Sequence, residues 1–134
     1  MLIDEGSWAD FVRHFEQGTL TREQWTHRAH LLVAAWYVSR YPPIEAGVRI
    51  RTGIRHLNEC LGGSNTESAG FHETLTEFWI RTVRAHLKRE GASLASVNRL
   101  LEVPADLWRA HYTIDLPSSR KARREWVAPN ATEL

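Results

Sequence analysis

Apolar residues recur along this chain at steps of three and four, and glycine or proline interrupts them at intervals of helical length. The interruptions fall at Gly18, Pro42-Pro43, Gly62-Gly63, Gly91, Pro104, Pro117 and Pro129. The segments between them predict helices. No strand-like alternation occurs, and neither Asn-Gly nor Asp-Gly marks a hairpin. The expected fold is all-α: a compact bundle of about four main helices plus short C-terminal ones, in one domain over 1–134.

The first helix is read from Ser7, a capping residue, along the stripe Trp8, Phe11, Val12 and Phe15 to a left-handed stop at Gly18. The second, about 22–40, is the central one. Thr21 and Gln24 read as its capping box, and Tyr41-Pro42-Pro43 ends it. Trp25, Ala29, Leu32 and Trp36 fall on one side of this helix, and His27, His30, Ala34 and Tyr37 lie roughly opposite. A helix apolar nearly all round is one that others surround, so His27 and His30 are expected to point into protein.

A third helix follows Pro43, with Ile50, Ile54, Leu57 and Leu61 as its core stripe; Gly47 and Gly53 weaken it and permit a close neighbour. The polar segment Gly62 to Gly70 reads as a loop able to act as a lid. The fourth helix, about 71–90, buries Phe71, Leu75, Trp79, Val83 and the stem of His86, with His72 in the same arc. Glu73 and Glu77 stack one turn apart and face elsewhere. Ser93 caps a short helix, Pro104 opens another, and the tail 117–134 is irregular apart from a short basic helix around Arg120 to Trp126.

Charge changes this picture little. Seventeen basic and sixteen acidic side chains give a net charge of +1, so no global field favours nucleic acid, which is an unlikely partner. The basic residues of the fourth helix and of Arg120 to Arg124 read first as solvated faces. The longest apolar stretch, Leu31 to Val38, is too short to span a bilayer. Cys60 is the sole cysteine, which fits a reducing compartment; it reads as a small buried residue without a basic neighbour to activate it. The start of the chain lacks a signal-like apolar run, and cytoplasm is the expected location.

The strings Trp25-Thr26-His27-Arg28-Ala29-His30-Leu31 and Gly70-Phe71-His72-Glu73-Thr74 resemble those of a group of small bacterial helical proteins with no assigned activity. The segment Ala122 to Pro129 is similar to that group's C-terminus. The resemblance covers most of the chain and implies no reaction; it marks the two histidine strings as positions of interest.

Two chemistries suit those strings. His27 and His30, three apart on a helix, share a face, and His72 from a neighbouring helix would give three imidazoles able to hold zinc or iron with an open position. Glu73 or Glu23 would add a carboxylate. Without metal, the same site is an acid/base pocket for a small molecule: His27 or His72 moves a proton beside Glu73, and Asn58, Thr74 and Trp25 line or orient the substrate. Against both stands an ordinary polar core, with each imidazole bonded to main chain and Asn58 linking the third helix to the loop. In that case the chain is a non-catalytic binding protein or homodimer, using spare aromatics such as Trp126.

Overall fold

A computed structural model describes residues 2–134. Among these residues helices are the only regular elements, with 62% of the chain helical and no strand. Its elements are α1 (Glu5–Gln17), α2 (His27–Arg40), α3 (Pro43–Cys60), α4 (Glu73–Glu90), α5 (Leu94–Leu100) and α6 (Arg120–Arg124). Two 3-10 turns, Leu107–Ala110 and Leu116–Ser118, lie between α5 and α6.

The all-α bundle expected from the apolar spacing is the fold observed, but two helices start elsewhere. Helix α1 begins earlier, because Asp4 is its N-cap and Ser7 completes the capping box from the third helical position. Helix α2 begins later than residue 22. Thr21 and Gln24 do bond reciprocally, Thr21 N–H to Gln24 Oε1 at 2.9 Å and Gln24 N–H to Thr21 Oγ1 at 3.3 Å. They close only one turn. Thr26 is extended and caps α2 afresh through the Ala29 N–H. The restart places His27 at the first helical position and His30 one turn in.

Helix α2 is enclosed, with Leu31 to Ala35 all buried. It packs against α1, α3 and α4, as its nearly continuous apolar surface requires. The main core joins Trp8, Val12 and Phe15 of α1 to Leu31 and Val33 of α2, Leu57 of α3, Val83 of α4 and Leu100 after it. Trp8 is also anchored by its indole N–H, 2.9 Å from Leu32 O. Gly53 lets α3 meet α1, because a Cβ there would collide with the Phe15 ring.

A second, smaller core forms on the far side of α4 from Phe78, Trp108, Tyr112, Leu116 and Ala122, with Trp126 packed against it. The aromatics of the C-terminal third are thus spent on internal packing. Arg81 lies over the Trp126 ring at 4.2 Å. The tail is held by main chain: Tyr112 donates to Val127 O at 2.6 Å, and the Asn130 and Ala131 amides donate to His111 O. No helix among the described residues is long and apolar enough to cross a membrane.

Cys60 is exposed at the end of α3, contrary to the buried position expected, and its Sγ lies 3.6 Å from His56 Nε2 one turn earlier. Leu57 and Leu61 hold the last turn of α3 against the core, and Cys60 lies on the outer side of that turn.

Candidate functional site

A cavity of about 400 Å³ opens between α2, α3 and α4. Helix α2 contributes His27, His30 and Ala34; α3 contributes Ile50, Ile54 and Asn58, one per turn; α4 contributes Leu75, Thr76, Trp79 and Ile80. Gly70, Phe71 and the α4 cap His72 close it. The space exists because Ala34 is small where α2 faces the cavity, and because Leu75 and Trp79 stand back half-buried while Phe78 fills the second core. Its size is within the usual range for small-molecule sites, and its lining holds no Asp, Glu, Lys or Arg.

All three histidines singled out in the sequence border this cavity, and each spends one ring nitrogen on a main-chain oxygen. His27 Nε2 lies 2.9 Å from Val103 O, His30 Nδ1 lies 2.7 Å from Thr26 O, and His72 Nε2 lies 2.8 Å from Leu116 O. A carbonyl can only accept, so each of these nitrogens carries the proton. That fixes three tautomers. His72 is fully engaged, since its Nδ1 also accepts the Leu75 N–H at 3.1 Å as the cap of α4. Burial outweighs its bond to Leu116 and holds it below the ordinary histidine range.

His30 differs. Its ring stacks on Trp25, with centroids 3.8 Å apart, and Nε2 remains as an unprotonated acceptor. No fully buried side-chain nitrogen or oxygen among the described residues lacks a partner, so this nitrogen keeps exposed surface, and the His30 side chain lines the cavity. Desolvation lowers the His30 pKa to about 4, against the opposing effect of its bond to Thr26. His30 is therefore neutral at physiological pH.

The three imidazoles do not make a metal centre. Among the described residues no group of three or more His, Cys, Asp or Glu is arranged to hold an ion. Two of the six ring nitrogens, His27 Nδ1 and His30 Nε2, are left after main-chain bonding and capping, fewer than the three donors a zinc site takes from protein. The competing groups are main chain: the carbonyls of Val103, Thr26 and Leu116, and the Leu75 amide, which lacks a helical partner at the start of α4.

Glu73 follows His72 in the chain but does not line the cavity. Arg51 grips it with two parallel bonds, Nε to Oε1 at 3.0 Å and Nη2 to Oε2 at 2.9 Å, and the same guanidinium reaches Glu77 at 2.5 Å. Arg51 was missed in the sequence; the stacked Glu73 and Glu77 were the available signal that a cation would face them. Thr74 is fully buried and ties down the tail, donating to Glu125 O at 2.7 Å and accepting from Val127 N–H at 3.0 Å. It orients no ligand. Trp25 reaches the site only as the platform under His30 and borders a smaller neighbouring pocket. Asn58 lines the cavity and also links α3 to the loop, donating to Asn65 Oδ1 at 3.1 Å. Asn65 in turn accepts the Phe71 N–H and donates to Arg55 O, so the expected lid is anchored at its middle.

A second constellation was not anticipated. Ser96 Oγ lies 3.2 Å from His86 Nε2, and His86 Nδ1 lies 3.4 Å from Glu90 Oε2, the order of a hydrolytic triad. His86 Nε2 also donates to Ser96 O at 2.9 Å, and Ser96 is fully buried. No substrate reaches it, and the group serves to link α4 to α5.

Comparison of the chain with protein-family models, curated proteins and solved structures gives no match. The functional reading therefore rests on the cavity itself.

Proposed function

We propose that this protein binds a small, uncharged, largely apolar molecule carrying one hydrogen-bond donor, and that His30 Nε2 receives that donor. The observation that carries the reading is a neutral imidazole of fixed tautomer, held by Thr26 and Trp25, that lines an apolar cavity and keeps one ring nitrogen free. A charged ligand would lose its hydration there and find no counter-ion in the lining. Asn58 and Thr76 supply further polar contacts, while Phe71 and Trp79 offer aromatic walls. The two histidine strings that resemble the small bacterial helical group both border this space.

A binding role is favoured over general-base catalysis by His30. An imidazole with a pKa of about 4 is a good acceptor but a weak base near neutrality. His27 lines the same cavity and keeps an unpartnered Nδ1. With a single free thiol in Cys60, the cytoplasm stays the favoured location.

Calorimetric titration with phenol and indole, and with benzoate as the charged comparison, tests the reading. Phenol or indole should bind saturably and benzoate should not. His30→Phe retains the stack on Trp25 but removes the acceptor, and should weaken binding about tenfold, the worth of one desolvated hydrogen bond. Equal affinity for the variant, or tighter binding of benzoate, would refute it.

A further inference from the structure

On the other side of Phe71 lies a separate cleft of about 410 Å³. Arg55, Arg123 and Arg124 line it together with Asn65, Thr66 and Glu67. Two of these guanidinium groups are already held in place. The Arg55 guanidinium lies over the Phe71 ring, its Cζ 4.0 Å from the centroid. Arg123 donates to Gly70 O at 2.7 Å and to Pro117 O at 2.9 Å. Arg120 and Arg124 approach Glu67, at 3.7 Å and 3.5 Å. The nearby Glu59 carboxylate is bonded to Asn65 Nδ2 at 3.4 Å.

Three guanidinium groups line the cleft and a fourth, Arg120, reaches Glu67 from its edge; against Glu67 and the nearby Glu59 they leave two positive charges in excess. The two ion pairs to Glu67 are longer than the 2.7–2.9 Å of a well-formed charge-assisted bond. A single carboxylate on a loop satisfies this cluster poorly. Guanidinium forks match the oxygens of a tetrahedral anion, and holding Arg55 and Arg123 in advance lowers the entropy cost of binding one.

We propose that this cleft binds a phosphate-type dianion, free or as the terminal group of a small phosphomonoester, and that Glu67 stands in the anion's place when it is absent. Binding swings Glu67 outward, and the dianion takes over its contacts with Arg124 and Arg120. This site does not depend on occupancy of the His30 cavity.

The test uses the full ¹⁵N-labelled chain, titrated with inorganic phosphate and with phenyl phosphate at constant ionic strength, with chloride as reference. Saturable shifts confined to Arg55, the 65–71 segment and the 120–124 helix are expected. Arg124→Gln should weaken binding about fivefold, and Glu67→Gln should tighten it about threefold, because the competing charge is gone. The remainder of each spectrum reports whether the variant is folded. Phenyl phosphate shifting the same residues establishes the ester, and its failure beside phosphate binding restricts the site to the free ion. Linear shifts equal to those from chloride, or a Glu67→Gln affinity no higher than that of the parent, would overturn the proposal.

Discussion

The Trp25 indole and the His30 imidazole stack with centroids 3.8 Å apart and planes inclined by 28°. Trp25 lies in the link just before α2 and His30 one turn inside it, so the late start of the helix brings the two rings together. The stack and the Nδ1 bond to Thr26 O leave the imidazole one orientation and one tautomer.

The first consequence is a pH dependence. Folded His30 titrates at about 4 and an unfolded histidine at about 6.5, so the unfolded chain binds more protons between these values. Stability is whole above about pH 6.5, falls as the pH drops through this window, and the contribution is gone below about pH 4. The gap corresponds to about 3 kcal/mol at most, and the lowered pKa of His72 acts in the same direction. An NMR titration should show the His30 ring resonances unmoved down to about pH 5. A His30 midpoint near 6.5 would contradict the burial.

Arg51 supports a different prediction. Its two carboxylate partners are mostly shielded, with 21% and 18% of the Glu73 and Glu77 side chains exposed. Burial alone would raise the Glu77 pKa; hydrogen bonds from Arg81 and Arg51 outweigh it and hold the carboxyl below its usual value. Arg51→Met leaves two half-buried acids facing each other and should cost about 2 kcal/mol in denaturant unfolding. The loss should shrink as the pH falls through the carboxylate range, since protonation removes the repulsion.

Thr74 predicts how the tail is fastened. Thr74→Val keeps the shape but orphans Glu125 O and the Val127 N–H. A cost of about 2 kcal/mol is expected, with faster amide exchange at Val127. Unchanged protection there would show that the second core alone holds the tail.

The helices were legible in the sequence because apolar periodicity and breakers are local properties. The start of α2 was not, since Thr21 and Gln24 bond as a capping box yet close only one turn. The convergence of His27, His30 and His72 on one cavity followed from facing, but facing does not report which ring nitrogens are free. Val103 and Leu116, which take up His27 and His72, lie 76 and 44 residues away in the chain. Glu73 went to Arg51 for the same reason: partner choice between helices depends on their packing, and one sequence does not contain it.

Gly53 was legible as a close approach, and it gives a clean packing test. Gly53→Ala drives a methyl into the buried Phe15 ring and should cost about 2 kcal/mol. At Gly62, with φ at +85° and nothing within 4 Å, alanine meets only backbone strain and should cost about 1 kcal/mol. Denaturation midpoints in the reverse order would show that α1 and α3 are not so closely packed.

The most direct measurement is a long-range ¹H–¹⁵N correlation of the His30 ring near neutral pH, with and without saturating phenol. The free protein should show a neutral ring protonated on Nδ1, and phenol should move the Nε2 resonance to lower frequency as it donates to that nitrogen. A ring protonated on Nε2, or an Nε2 resonance that phenol leaves unmoved, would contradict the account.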